Sequence, residues 1–188
     1  MKNIVLFASG SGTNAENIIR HFQKSPAARV VALFCNNADA KVIDRARNLN
    51  VPTILFTKDV FAGTELLQQL NIFKPDLIVL AGFLLKFPTN IIETFPNRII
   101  NIHPALLPKF GGKGMYGMHV HRSVIQNKET ETGITIHYVN ENYDEGNIIF
   151  QGRVALTGTE TCEQVAEKVH QLEQQHFPGV IEQLIRNL

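Results

Sequence analysis

The sequence predicts an open, twisted, mostly parallel α/β sheet with helices on both faces, closed by a C-terminal β pair and a long helix. Two observations carry that prediction. Short apolar runs alternate with amphipathic stretches through the first hundred residues, and the first run ends in a glycine-rich turn leading directly into a helix.

The runs at 4–8, 30–35, 53–56, 77–81 and 99–102 are short and almost continuously apolar, the pattern of strands buried on both faces. Between them, 14–23, 38–49 and 64–73 carry apolar residues at helical spacing. Pro52 and Pro75 each mark a change from helix to strand. A βαβαβ rhythm of this kind implies right-handed crossovers and a parallel sheet. The second half differs. Pro104, Pro108, Gly111, Gly112, Gly114 and Gly117 make a long breaker-rich segment before a helix starting near Met118. Two β runs follow, 133–139 and 148–156, and then a helix over 161–185 that Pro178 is expected to bend or interrupt.

A chain of 188 residues fits one domain, long enough to bury roughly 70% of its unfolded surface. The formal charge of +1 offers no general attraction to nucleic acid or anionic lipid, so neither is expected as a partner. No run of eighteen apolar residues appears, and the N-terminus lacks a signal-peptide pattern. Cys35 and Cys162 lie far apart and match no metal spacing. Both read as apolar fillers and reduced thiols, which points to the cytoplasm.

The turn Ser9-Gly10-Ser11-Gly12-Thr13-Asn14-Ala15 matches the G-x-G-x-x-G/A spacing of a Rossmann-like fold. Glycines let the backbone approach an anion, and the following helix offers free N–H groups and the positive end of its dipole. A dinucleotide site needs an acid ending the second strand, but here that strand ends Cys35-Asn36-Asn37. A phosphomonoester is therefore preferred to a nicotinamide cofactor, with a tight turn holding no ligand as the plainer alternative.

The fifth strand runs into Asn101-Ile102-His103-Pro104. Strand alternation points Asn101 and His103 the same way, toward the carboxyl edge where open α/β sheets bind ligands. A neutral donor beside an imidazole suits a carbonyl that becomes a tetrahedral oxyanion. Asp144, in a turn ahead of Gly146, is the third member, expected to raise the His103 pKa. A capping Asn, a loop His and a turn Asp are the plainer alternatives. No nucleophile elbow appears, which favours direct transfer over a covalent acyl-enzyme. His119 and His121 lack a third ligand at a metal spacing, so no metal is expected. His137 either supports the same cleft or packs as a structural histidine.

In this order the pieces resemble the folate-dependent formyltransferases, specifically the phosphoribosylglycinamide formyltransferases, also called glycinamide ribonucleotide transformylases. The resemblance spans essentially the whole chain. It rests on Ala8 through Asn14, on Ala81-Gly82-Phe83, on Asn101-Ile102-His103-Pro104-Ala105-Leu106-Leu107-Pro108, and on Tyr143-Asp144-Glu145-Gly146. It implies a formyltransferase domain over 1–188, with a phosphate-binding half at 1–100 and a catalytic and folate-side half at 101–188.

The resemblance further implies a catalytic set of Asn101, His103 and Asp144. Gly12, Thr13 and Asn14 would hold the ribose phosphate of glycinamide ribonucleotide, and Glu173 would meet its glycyl amine. Leu84, Leu85, Lys86 and Phe87, together with Asn101, would receive 10-formyltetrahydrofolate, with Lys58 near its benzoylglutamate part. The implied assembly is a monomer or homodimer. Lys86 departs from a segment whose backbone would do most of the binding, and the stretch 110–120 is longer than in the shortest members. A mobile loop that closes over the site is expected there.

Three other readings compete with this one. A formyltetrahydrofolate deformylase would use water as acceptor, but such enzymes resemble this chain plus an N-terminal regulatory domain. Methionyl-tRNA formyltransferase carries a C-terminal RNA-binding domain, for which this chain is short and too neutral. A non-catalytic nucleotide-binding regulator would have no need of Asn101, His103 and Asp144 together.

Overall fold

The computed structural model describes all 188 residues apart from the side chain of Ala62. In chain order the elements are β1 Lys2–Ala8, α1 Thr13–Phe22, β2 Ala28–Cys35, α2 Val42–Asn48, β3 Thr53–Leu55, α3 Lys58–Ala62, α4 Glu65–Phe73, β4 Leu77–Leu80, α5 Thr89–Thr94, β5 Ile99–His103, α6 Met118–Gln126, β6 Glu131–Tyr138, β7 Ile148–Ala155 and α7 Cys162–Asn187. The strands form one sheet in the order β3-β2-β1-β4-β5-β6-β7. Pairing is parallel from β3 through β5, and β6 and β7 join antiparallel.

Alternation within β1 explains the two-layered core. Ile4, Leu6 and Ala8 face one layer, with Ile18, Ile19 and Phe22 of α1 and Phe177, Ile181 and Ile185 of α7. Val5 and Phe7 face the other, with Leu66 and Leu70 of α4 and Ile91 of α5. There the Phe7 and Phe34 rings stack at 5.0 Å, and Phe7 meets Phe83 and Phe87 edge-on at 5.4 and 5.0 Å. This aromatic packing supports the segment after β4 from below.

Three expectations change. Helices α3 and α5 were not apparent in the sequence, being five and six residues long, too short to display a periodic face. Cys162 is only partly buried, at the first position of α7, while Cys35 lies in the core; both thiols are free. And α7 runs unbroken through Pro178. A proline leaves the carbonyl four residues earlier without its helical donor. That carbonyl, on Gln174, instead accepts from Asn17 Nδ2 at 2.8 Å. The helix survives because its neighbour α1 supplies the missing hydrogen bond. At the other end, Thr161 and Gln164 form a reciprocal capping box.

β1 pairs with β2 on one side and β4 on the other, so the chain winds outward from β1 in both directions. The crevice at such a switch point is where open α/β sheets place ligands. The loops after β1, β4 and β5 all open into it. Among the described residues, no helix is long and apolar enough to cross a membrane.

Candidate active site

The turn after β1 is held open from behind. Gly12 adopts φ 75°, and a Cβ there would lie 2.2 Å from Val42 Cγ2. Only glycine fits a left-handed turn pressed against a neighbouring helix. Arg45 Nε donates to Ser11 O at 2.9 Å, while its guanidinium pairs with Glu16. Ser9 donates to Asn36 Oδ1 at 2.7 Å and accepts from the Leu84 amide at 3.2 Å. Asn36, which argued against a dinucleotide, thus helps join the first turn to the segment after β4.

A cleft of about 520 Å³ opens there, lined on its apolar side by Leu80, Phe83, Leu84, Leu85, Phe87 and Val139. Lys86 stands at the same cleft, its ammonium 5.9 Å from the centre of the Tyr143 ring. Lys58 does not line it; it begins α3 on the exposed surface. Asn101, His103, His137 and Asp144 line the polar wall. A second cavity of about 270 Å³, bounded by Gly10 through Asn14, adjoins the first, and Asn14, Gly82, Pro104, Gly117 and Glu173 line both.

The polar wall is a connected network. The β5–β6 register sets His137 opposite Asn101. His137 Nδ1 lies 2.9 Å from Tyr138 O, a group that only accepts, so the proton sits on Nδ1. Its Nε2 then accepts from Asn101 Nδ2 at 3.2 Å. By the same reasoning His103 Nε2 donates to Phe110 O at 2.7 Å. His103 Nδ1 faces Asp144 Oδ2 at 3.5 Å, and His137 Nε2 faces Asp144 Oδ1 at 3.6 Å. Asp144 Oδ2 also accepts from the Gly112 amide at 2.9 Å. The glycine-rich segment therefore touches both members of the His–Asp pair.

Electrostatics correct one expectation. Burial pushes the His103 imidazole below its ordinary value, and the Asp144 carboxylate and Phe110 carbonyl recover only part of that shift. His103 is only 3% exposed, so desolvation outweighs the neighbouring charge. Asp144 goes the other way: burial alone would raise its carboxyl, but the His137 and His103 rings facing it and the Gly112 amide donating to it outweigh that and hold it below the usual range. In the resting site, His103 is a neutral N–H donor beside a carboxylate.

Glu173 is not the exposed helical acid that its position alone suggests. Its Oε2 accepts from Asn14 Nδ2 at 2.9 Å and lies 3.2 Å from His170 Nδ1, and this hydrogen bond raises the His170 pKa. Sequence reasoning missed His170 and Tyr116 as lining residues, since neither sits in a spacing that separates it from an ordinary surface position. His119 and His121 gather no metal set: among the described residues, no three His, Cys, Asp or Glu side chains come together as ligands.

These shifts predict an acid-sensitive fold. His103 and His121 both have lowered values, burial being the main cause. The unfolded chain, near 6.5 for each, then binds protons that the native state refuses. Their stability contribution is present above about pH 6.5 and is lost as pH falls below it. His170, with a raised value, works in reverse and is outnumbered. The thermal midpoint is expected to be lower at pH 5.5 than at pH 7.5; an unchanged or higher midpoint overturns this.

An open α/β sheet with a phosphate-type turn and an Asn–His–Asp wall on one cleft has the make-up of a group-transfer site. The chain matches the formyl transferase family over residues 2–181 and belongs to it. It is similar to phosphoribosylglycinamide formyltransferase of Bacillus subtilis, at 33% identity over 98% of this chain and 95% of that one. The chloroplastic phosphoribosylglycinamide formyltransferase of Arabidopsis thaliana is 38% identical over 96% of this chain, which spans 64% of that relative's length. Among solved structures, glycinamide ribonucleotide transformylase 1 from Geobacillus kaustophilus superposes with a TM-score of 0.90 at 35% identity, covering 98% of this chain and 99% of that one.

Proposed function

We propose that this protein transfers the formyl group of 10-formyltetrahydrofolate directly to the glycyl amine of 5'-phosphoribosylglycinamide, a step of purine synthesis. The observation that carries the reading is the continuity of the two cavities. An apolar slot suited to a flat pteridine adjoins a phosphate-type turn, and Asn101, His103 and Asp144 line the slot. The named relatives support the same acceptor. The free thiols of Cys35 and Cys162 favour a cytoplasmic setting.

In the proposed mechanism the amine nitrogen attacks the formyl carbon while both substrates share the cleft, gaining from proximity. Asn101 Nδ2 and the His103 N–H hydrogen-bond to the oxyanion that forms. Collapse breaks the bond to folate N10. The proton leaving the amine reaches N10 through a water held by Asp144, while Glu173 orients the amine. His103 Nε2 must first leave Phe110 O, so the 110–117 segment moves when substrate engages. Gly112, Gly114 and Gly117 have φ of 95°, 88° and 55°, and such glycines rearrange at little steric cost.

The test is to mix the protein with glycinamide ribonucleotide and a 10-formyl folate, following deformylated folate by absorbance. Formyl loss only with acceptor present is expected. Loss without acceptor would establish a deformylase, and no loss in either case would refute both.

A further inference from the structure

We propose that His121 determines specificity for the phosphate end of the acceptor, donating a hydrogen bond from its imidazole to the phosphate opposite the glycine-rich turn. The inference rests on the acceptor being a phosphate ester, as the proposed reaction requires.

The adjoining cavity has an unusual lining for a dianion: among the described residues it contains neither lysine nor arginine, and it does contain Glu173. N–H groups of the backbone and of the lining histidines must therefore hold the phosphate. Two helices begin at this cavity. Gly12 caps α1 and Gly117 caps α6; both line it, and neither cap residue supplies a side-chain hydrogen bond to its helix. The amides opening both helices are thus free of side-chain caps, and two dipoles present positive ends to one space.

His121 lies in the first turn and a half of α6 and lines the same cavity. It is 6% exposed, and its Nδ1 is sealed from solvent without a partner. A buried N–H lacking an acceptor costs about 1–3 kcal/mol, so the proton belongs on the other ring nitrogen, Nε2. Burial also lowers its pKa, keeping the ring neutral and a single donor. Among the described residues, none accepts from that nitrogen. The nearby His170 spends its Nδ1 on Glu173.

The experiment compares the full-length protein with His121→Leu, which removes the donor, and His121→Gln, whose amide nitrogen lies near the position of Nε2. Acceptors are glycinamide ribonucleotide and its dephosphorylated riboside. His121→Leu is expected to cut the kcat/KM preference for the phosphorylated acceptor about 10-fold, the value of one hydrogen bond to a charged group. The loss should fall on KM rather than kcat, the folate KM should not change, and His121→Gln should recover most of the preference. An equal loss on both acceptors, or none, overturns the inference. Independently, inorganic phosphate should shift the His121 ring nitrogen signals of the wild-type protein to saturation; unmoved signals also overturn it. Failure of formyl transfer by the wild type refutes the reaction instead, and the phosphate titration still decides His121.

Discussion

Replacing Asp144 by asparagine is expected to lower kcat about 10²- to 10⁴-fold while leaving the fold and the thermal midpoint nearly unchanged. Asp144 sits at φ 56°, a left-handed conformation that asparagine tolerates as well as aspartate. The amide oxygen can still accept from Gly112. What disappears is the charge facing His103 at 3.5 Å and His137 at 3.6 Å. With it goes the group proposed to hold the proton-carrying water. His103→Ala is expected to lose a similar factor, with His103→Asn as a companion that keeps a donor and most of the volume. Single-turnover rates with both substrates saturating measure this directly. Rates within a few-fold of wild type would remove Asp144 and His103 from the proposed chemistry.

Gly146→Ala is expected to be nearly as damaging, for a steric reason. A Cβ on Gly146 would lie 1.7 Å from Tyr138 O and 3.6 Å from His137 Nδ1. Tyr138 O is the acceptor that sets the His137 tautomer. The substitution must therefore push apart the turn bearing Asp144 and the strand bearing His137. We expect a loss of about 3 kcal/mol or more, since contacts this close with backbone cannot be relieved by a side-chain rotation. In a chain of this length that amounts to a drop of roughly 6–12 °C in thermal midpoint. Turnover should fall about 100-fold even below the new midpoint, because a displacement of about 1 Å at a catalytic group has that effect. Wild-type stability in calorimetry would show that the strand yields more easily than this packing implies.

The Gly146 case shows how much of the site is legible in the sequence. The motif around Asp144 marks the glycine, but the reason for it is a carbonyl from a strand that precedes it in the chain. Asn101 and His103 were legible as a pair because strand alternation alone points both side chains to one side. His137 was ambiguous because its role depends on the β5–β6 register, which sets it opposite Asn101. Glu173 looked like an exposed helical acid until α7 was laid against α1, where Asn14 donates to it. Lys58 stands on the exposed surface and is not among the residues lining the cleft.

By itself the sequence determined the strands, whose apolar runs can only be buried on both faces, the glycine turn that opens α1, and the paired donors ending β5. These are local consequences of side-chain periodicity and backbone freedom. Tertiary structure decided the continuity of α7 through Pro178, the meeting of Asp144, His137 and Phe110 around His103, and the direction of the His103 pKa shift. Each of these depends on distance and solvent exclusion between residues far apart in the chain. A carboxylate at 3.5 Å raises an imidazole pKa, but burial of the ring lowers it more. Only the folded arrangement determines which of those opposing terms is larger.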